Sequence, residues 1–352
     1  MAISFTGCLQ HIILDANKLD RDSSSLQQAL HQLGKRELLA LKVPTELGGK
    51  GLEPLEYGEW QIAIAKHSGA LAFLQTQHQS AGSFLAKSSN TDLQRTYLPS
   101  MATGEKLLGV GFSQLRRLGK PLVTATPVKG GYELSGVVPW VTGGNIFEEF
   151  VIGSSLPDGR ELYGIVPLQN KQNQGKVTVS KPMDLMVMSA TNTVSVELDR
   201  WYLPSELVVD IKPAGQIHRG SQKNVLHHSW FPLGCAYSAL DIMVQTYQKK
   251  QLDAIWDSKT SLERELKQHH LTIKSEIAAN KLHYQQKLLL RAKAIDLAFR
   301  CAQGAVIATS GSANSYQSDA GRVYREALVF SVSGQTADLL SASLNAIAYA
   351  KS

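Results

Sequence analysis

Cysteine is scarce in this sequence: Cys8, Cys235 and Cys301 are the whole complement. They lie far apart, with no Cys-x-x-Cys or Cys/His ligand spacing, which excludes a disulfide framework and a thiolate metal site. Small buried apolar side chains in a reducing compartment are the expected reading. Long hydrophobic runs are missing too, since none reaches the ~18 residues a bilayer span requires. The opening Met1-Ala-Ile-Ser-Phe5 has neither the basic start nor the apolar core of a secretory signal. The expectation is a cytoplasmic protein with no membrane partner. Glycine fingerprints of nucleotide folds are lacking as well. Gly111 to Lys120 has Gln114 where a phosphate loop needs glycine, so nicotinamide binding on a βαβ unit is not expected.

Charge excludes further classes. Lysine and arginine number 36 against 30 acidic residues, a net charge of +6. Much of the excess falls between Tyr247 and Arg300, interleaved with Glu263, Glu265, Glu276 and Asp296. Such mixing at helical spacing describes a solvated helix face, not a nucleic-acid footprint. The sign is compatible with an anionic ligand such as a dinucleotide or a CoA thioester. Adjacent histidines, His227-His228 and His269-His270, point about 100° apart on a helix and cannot share one ion, so no metal is expected.

With 43% hydrophobic and 19% charged residues over 352 positions, the chain reads as an ordinary globular protein too long for one core. Helical periodicity runs from Ala16 to Met101. It includes a leucine-rich run that stops at Val43-Pro44, a Gly48-Gly49 loop, a helix opened by Pro54, one from Ala70 to Leu85 that carries His78, and one from Thr91 to Met101. From Leu107 to Ile211 the period changes to two. Seven strands are predicted: 107–112, 122–128, 132–138, 150–154, 162–167, 177–180 and 194–198. Turn signals at Lys129-Gly-Gly131, Pro157-Asp-Gly159 and Gln169 to Gly175 separate them. Their number and spacing argue for an antiparallel barrel or sandwich. From His218 helix returns: an apolar helix over 231–241, a charged one over 261–282, a striped one through Leu288, Ile295 and Val306, and a last one over 321–350.

Within the strand region, Gly130 to Gly144 stands out. Trp140 and Thr142 fall two apart, hence on one strand face, and Gly143-Gly144 beyond them allow a turn or a close approach. An aromatic ring and a hydroxyl on one face, flanked by glycines, could accept a planar heterocycle. They equally describe an ordinary strand with a core tryptophan.

These residues resemble the acyl-CoA dehydrogenase superfamily, whose "dGGy.l.G.k.WiT.g" run enters the flavin site. The resemblance extends to the glycine loop after Pro44, to the phrase ending at Thr103-Gly104, and to Arg200 to Val208. It implies an α+β multidomain fold: a helical domain over 1–106, a central β-barrel or sandwich over 107–212, and a C-terminal helical bundle over 213–352. It implies a flavin, FAD or alternatively FMN, contacted by Phe112, Ser113, Trp140, Val141 and Thr142. It also implies a small-molecule substrate, with an acyl-CoA thioester as the family's choice, and a homodimer or homotetramer.

Departures from the family pattern are specific. The loop Phe112 to Leu118 replaces Glu-Pro with Gln114-Leu115 and carries Arg116 and Arg117. In the phrase that starts at Tyr324-Arg325, the position of the family's α-proton-abstracting Glu is Gly334, and the alternative Glu position is Asn224. A carboxylate suits that task because the α-proton is weakly acidic. The pyrophosphate-binding Arg position is Gln251, beside Lys249 and Lys250. The C-terminal region also resembles the superfamily's flavin monooxygenases, in which a histidine lies where His78 falls. His78 is therefore the one catalytic candidate, set against a polar helix-face histidine among Gln75, Gln77 and Gln79. The resulting expectation is a flavin-dependent oxidoreductase acting on CH–CH groups, lacking the usual Glu. The alternatives are a reduced-flavin-dependent monooxygenase and a non-catalytic binding protein on the same fold.

Overall fold

A computed structural model describes residues 5–13 and 15–348. The first helices are α1 (Phe5–Ile12), α2 (Ala16–Arg21) and α3 (Ser23–Gly34). They are followed by α4 (Pro54–His67), α5 (Gly69–Leu85) and α6 (Thr91–Met101). Their starts are written in side chains that satisfy orphan amides. Asp15 and Asp22 accept from Lys18 and Ser24 backbone N–H groups. Pro54 opens α4, where Glu56 accepts from the Glu53 amide at 3.1 Å. Ser68 and Asn90 cap α5 and α6 through Leu71 and Leu93.

The middle of the chain forms one sheet of nine strands. These are β1 (Leu108–Gly111), β2 (Val123–Val128), β3 (Gly131–Val141), β4 (Glu149–Ser155) and β5 (Glu161–Pro167). The others are β6 (Lys171–Asn173), β7 (Gly175–Val179), β8 (Val194–Pro204) and β9 (Val208–Lys212). The order is β6-β7-β8-β3-β2-β4-β5-β9, with β1 beside β4. Two differences from the sequence reading follow. The sheet is mostly, not wholly, antiparallel, because β1 runs parallel to β4 and β2 meets β4 in parallel at Thr124 and Ser155. Among the described residues there are nine strands instead of seven. β6 is exposed throughout, so no apolar alternation marks it, and it sits in the stretch read as a turn. β3 is the spine, paired along its length with β2 and β8. Gly136 on it is obligatory: φ is +129° and a Cβ would stand 2.0 Å from the Leu122 carbonyl oxygen.

After the sheet come α7 (Gln216–Lys223), α8 (Trp230–Lys250), α9 (Asp253–Ala279) and α10 (Tyr284–Thr309). The chain continues with α11 (Asp319–Val332) and α12 (Ala337–Ala348). The single last helix expected over 321–350 is thus two, and its final two residues lie outside the described ones. The break comes at Ser333 and Gly334, where φ of +62° ends the helix. The solvated face read between Tyr247 and Arg300 is laced with ion pairs, Glu263 with Lys259 and Lys267, and Glu265 with Lys293 and Arg300.

Helices from the two ends of the chain pack directly. A Cβ on Gly58 of α4 would lie 2.5 Å from the Trp230 ring, and one on Gly234 of α8 would lie 2.6 Å from the Ile62 carbonyl oxygen. Each helix thus has a glycine where the other presses closest. One apolar core continues from Leu26 and Trp60 through Phe150 and Val196 to Leu233 and Leu297. Deep in it, Arg322 donates to Glu326 at 2.7 Å, and Glu326 accepts from the Gly69 amide at 3.1 Å, joining α11 to the start of α5. Cys235 and Cys301 are buried and free, whereas the Cys8 side chain lies outside the described residues. Among the described residues, no helix is long and apolar enough to cross a membrane.

Candidate functional site

Where β1, the end of β3, α5 and the α11–α12 break converge, they enclose a cleft of about 200 Å³. One wall is the turn after β1. Phe112 packs against Phe84 and Tyr163 at ring-centroid distances of 5.9 and 5.8 Å, and Ser113 and Arg116 follow it along the cleft. Gln114, at the altered family position, explains how this turn is held. It is buried, and its Nε2 donates to the Gly111 carbonyl at 3.1 Å and the Gly153 carbonyl at 2.7 Å, pinning the turn to β4.

The second wall is the end of β3. A register shift between Val138 and Val141 re-aims the chain there. Trp140 and Thr142 both line the cleft, and Trp140 stays 50% exposed. Thr142 is nearly buried, its hydroxyl 3.3 Å from that of Thr193. A large aromatic ring left half open inside a concave site is the opposite of a core tryptophan. Val141 differs from its neighbours: its side chain is fully buried and does not line the cleft. Phe73, Thr76 and Gln77 of α5 form the third wall, and His228, Phe231, Ser333 and Gly334 the fourth. Phe231 stacks on Phe330 at 5.3 Å, fixing that wall to α11.

His78 corrects its expectation. It is fully buried and does not line the cleft. Its Nδ1 accepts from the Leu108 amide at 3.0 Å, and its Nε2 faces the Met101 carbonyl at 3.0 Å. Burial drives its pKa down to about 4, against the opposing effect of those two backbone bonds. With both nitrogens engaged, it ties α5 to α6 and β1. It is neither a proton donor in the cleft nor a polar helix-face residue.

The histidine that does reach the cleft is His228. A Cβ built on Gly334 would lie 2.9 Å from both Nδ1 and Cε1 of its ring, so the imidazole fills the space before the position of the family's Glu. Burial holds His228 well below the usual histidine range. Arg291, Arg116, His227 and Lys42 push the same way, so the ring is neutral at pH 7. Asn224, the alternative Glu position, is exposed at the end of α7. Arg291 is 2% exposed, and one of its terminal nitrogens donates to the Ser333 and Gly334 carbonyls at 2.7 and 3.3 Å. Burial and then Arg116 lower its pKa to about 10.

Sequence reasoning met His228 only inside a dismissed metal pair, and passed over Arg291. A usable signal existed: Arg291 falls three residues after Leu288 on the apolar stripe, a cation on a helix face otherwise buried. The second pair is separated as well. His269 meets the Leu290 carbonyl, whereas His270 faces Tyr237 and Glu59.

The walls suit an isoalloxazine ring, with an aromatic platform at Trp140 and hydroxyls at Ser113 and Thr142. The position that the resemblance gives to the family's pyrophosphate-binding Arg is occupied differently. Gln251 caps α8 in a left-handed conformation and donates to Gln248. Lys250 is committed to the Ala308 carbonyl and the Ser310 hydroxyl. A surface hollow of about 270 Å³ beside Lys176, Glu197 and Asp199 gathers none of the expected site residues.

Comparison with known proteins bears on the fold. Residues 8–105 match the family model described as acyl-CoA dehydrogenase, N-terminal domain. Isovaleryl-CoA dehydrogenase of Solanum tuberosum is 24% identical over 60% of this chain and 52% of its own length. Very long-chain specific acyl-CoA dehydrogenase of Macaca fascicularis is 28% identical over 52% of this chain and 29% of its own length. The chain thus spans about half, or less, of these relatives. Among solved structures, glutaryl-CoA dehydrogenase from Mycobacterium smegmatis superposes with a TM-score of 0.82 at 15% identity, covering 98% of this chain and 93% of that one. Butyryl-CoA dehydrogenase from Megasphaera elsdenii gives 0.78 at 15% identity, over 99% and 96%. The order of helices, sheet and bundle is the fold of these dehydrogenase structures, and residues 8–105 match the N-terminal domain of the acyl-CoA dehydrogenases.

Proposed function

We propose that the cleft binds a flavin, with its ring system against Trp140, and that the protein is a flavin-dependent oxidoreductase acting on a small molecule in front of Gly334. The observation that carries this reading is the half-open Trp140 ring, set in a cleft with Ser113 and Thr142 on one side and the neutral imidazole of His228 on the other. A bound flavin would supply a two-electron acceptor. FAD is the family's cofactor, and FMN is the second candidate because the arm at Gln251 and Lys250 lacks the family's Arg.

This chain's own contribution is positional and protolytic. Phe112 and Trp140 bound the ring site, Phe73 and Phe231 keep water from the substrate side, and neutral His228 accepts a proton where the family uses carboxylate. Dehydrogenation of a CH–CH unit, in the family an acyl-CoA thioester, is the conventional outcome. A reduced-flavin-dependent monooxygenase is the second reading, favoured by one fact: Gly334 and Asn224 leave both carboxylate positions empty. The apolar side chains left exposed on the last two helices (Leu328, Val332, Leu344 and Ile347) support a homodimer or homotetramer. Free Cys235 and Cys301 support a reducing, cytoplasmic setting. The proposed division remains 1–106, 107–212 and 213–352.

The test is the visible spectrum of the purified protein, before and after addition of FAD or FMN. A bound flavin band, bleached anaerobically by acyl-CoA, establishes the dehydrogenase. Bound flavin that reacts only when reduced and exposed to oxygen with substrate establishes the monooxygenase. No binding of either flavin overturns both.

A further inference from the structure

Among the described residues two arginines are buried, Arg322 and Arg291, and only Arg322 meets a carboxylate. Arg322, 3% exposed, meets Glu326 at 2.7 Å and Asp319 at 3.3 Å, and Arg325 faces Asp20 at 3.6 Å. Around the cleft the pattern inverts. Arg116 lines it, with its Nε donating to the Ser221 hydroxyl at 3.0 Å and no carboxylate paired with it among the described residues. Arg291 spends one terminal nitrogen on the Ser333 and Gly334 carbonyls, and its buried Nε has no partner. Lys42 lies over the Tyr57 ring at 4.8 Å, likewise without a carboxylate. Arg116 and Arg291 repel one another, and His228 feels both.

Buried charge of one sign without a counter-charge is costly, and native structures hold it where something supplies the opposite charge. Among the described residues no side chain does so at Arg116 or Arg291. We infer that the cleft takes a substrate bearing a carboxylate, held by the Arg116 guanidinium in front of Ser333 and Gly334, with the positive charge of Arg291 behind that loop. This rests on the flavin reading of the same cleft and names its substrate class.

Three features favour a carboxylate on an organic body over a bare inorganic anion. The guanidinium fork matches the planar geometry of a carboxylate. Phe73, Val110 and Phe231 give the cleft apolar surface for an organic body, beside the uncharged Thr76, Gln77 and Ser80. The whole cleft is about 200 Å³, smaller than most ligand clefts, and it must also hold the ring, which fits only a short acid. The arrangement also explains how His228 becomes a competent base. Burial first, and then the surrounding cations, keep it unprotonated, and an anion seated at Arg116 offsets the cations' share.

Isothermal titration calorimetry of the full chain with butyrate at low ionic strength tests the assignment. Butyramide, the neutral isostere, and inorganic phosphate serve as comparison ligands. Saturable butyrate binding, at least 10-fold weaker in Arg116→Gln and unchanged in Arg117→Gln next to it, is expected, with no binding of butyramide. Arg291→Lys keeps the charge and guards against a folding defect in the neutral variant; it should bind butyrate within about threefold of wild type, whereas Arg291→Gln should lose it. Equal butyrate affinity in wild type and Arg116→Gln overturns the proposal. So does phosphate binding as tightly as butyrate and displaced by FMN but not by riboflavin, because the cations would then serve the cofactor's phosphate. Flavin binding is followed separately by quenching of flavin fluorescence. Flavin bound without butyrate sinks the substrate assignment alone, and butyrate bound without flavin supports the anion site while sinking the flavin reading.

Discussion

The ring of His228 and the α-carbon of Gly334 are fitted to each other: any side chain at position 334 would begin 2.9 Å from Nδ1 and Cε1 of the imidazole. Replacing the glycine with the family's Glu therefore restores nothing by itself. It must also adopt φ of +62°. Gly334→Glu should cost about 1–3 kcal/mol of stability, read as a lowered urea midpoint. The double variant His228→Gly with Gly334→Glu should recover part of that loss. It is also the form in which acyl-CoA-dependent flavin bleaching should emerge or increase. Additive losses in a double-mutant cycle would refute the steric coupling.

Trp140 gives a cleaner separation of binding from folding. Because it is 50% exposed, Trp140→Ala should leave the melting temperature within a few degrees of wild type. The same change should weaken flavin binding about 10-fold, the loss of one aromatic stacking partner. Fluorescence titration with FMN and FAD measures it. Undiminished affinity would remove Trp140 from the flavin site.

His78 makes stability depend on pH in a definite direction. Its folded-state pKa, depressed by burial to about 4, lies below the ordinary 6.5. Between these values the unfolded chain binds a proton that the folded chain refuses, so stability falls as pH drops from about 6.5 toward 4. The contribution lost by pH 5 should be about 2 kcal/mol. His78→Gln can keep both backbone bonds without titrating, and should flatten this part of the profile in urea titrations at a series of pH values. An unchanged slope would mean the ring is protonated in the folded state.

Glu326 anchors a pair whose partner cannot be abandoned. It is fully buried, and Arg322 beside it is 3% exposed. Glu326→Ala leaves the buried guanidinium with only the solvent-facing Asp319 and frees the Gly69 amide, at a cost of about 3 kcal/mol. Replacing both residues, Arg322→Met with Glu326→Leu, should be far milder. Chemical denaturation of the two variants decides it.

Local signals carried much of the fold. The helix over Thr91–Met101 was legible to the residue because Asn90 caps it and Leu93, Tyr97, Leu98 and Met101 repeat on its buried side. Trp140 and Thr142 were legible as a pair because strand geometry sets their spacing, and both do meet in the cleft. What escaped was decided at a distance. β6 has no buried side chain to leave a period, and exists by pairing with β7. The break at Gly334 hides among helix-forming residues. His228 and Arg116 gain meaning only where a segment after β1 meets the start of α8 and the end of α11. Val141 and His78 mark the converse: a family position names a residue without saying which way its side chain turns.

The reciprocal glycines at Gly58 and Gly234 bear on how the chain reaches this state. The whole sheet separates the two helices in sequence, so their close fit can form only after every strand has been made. While a ribosome is still delivering the strands, the groove of α4 at Gly58 has no α8 to fill it, and the apolar surface around it stays open. Non-local closure of this sort slows folding. The consequence is a window for misassembly that ends only with the seating of Trp230, and that makes growth temperature and chaperone supply the settings that decide how much active protein is recovered.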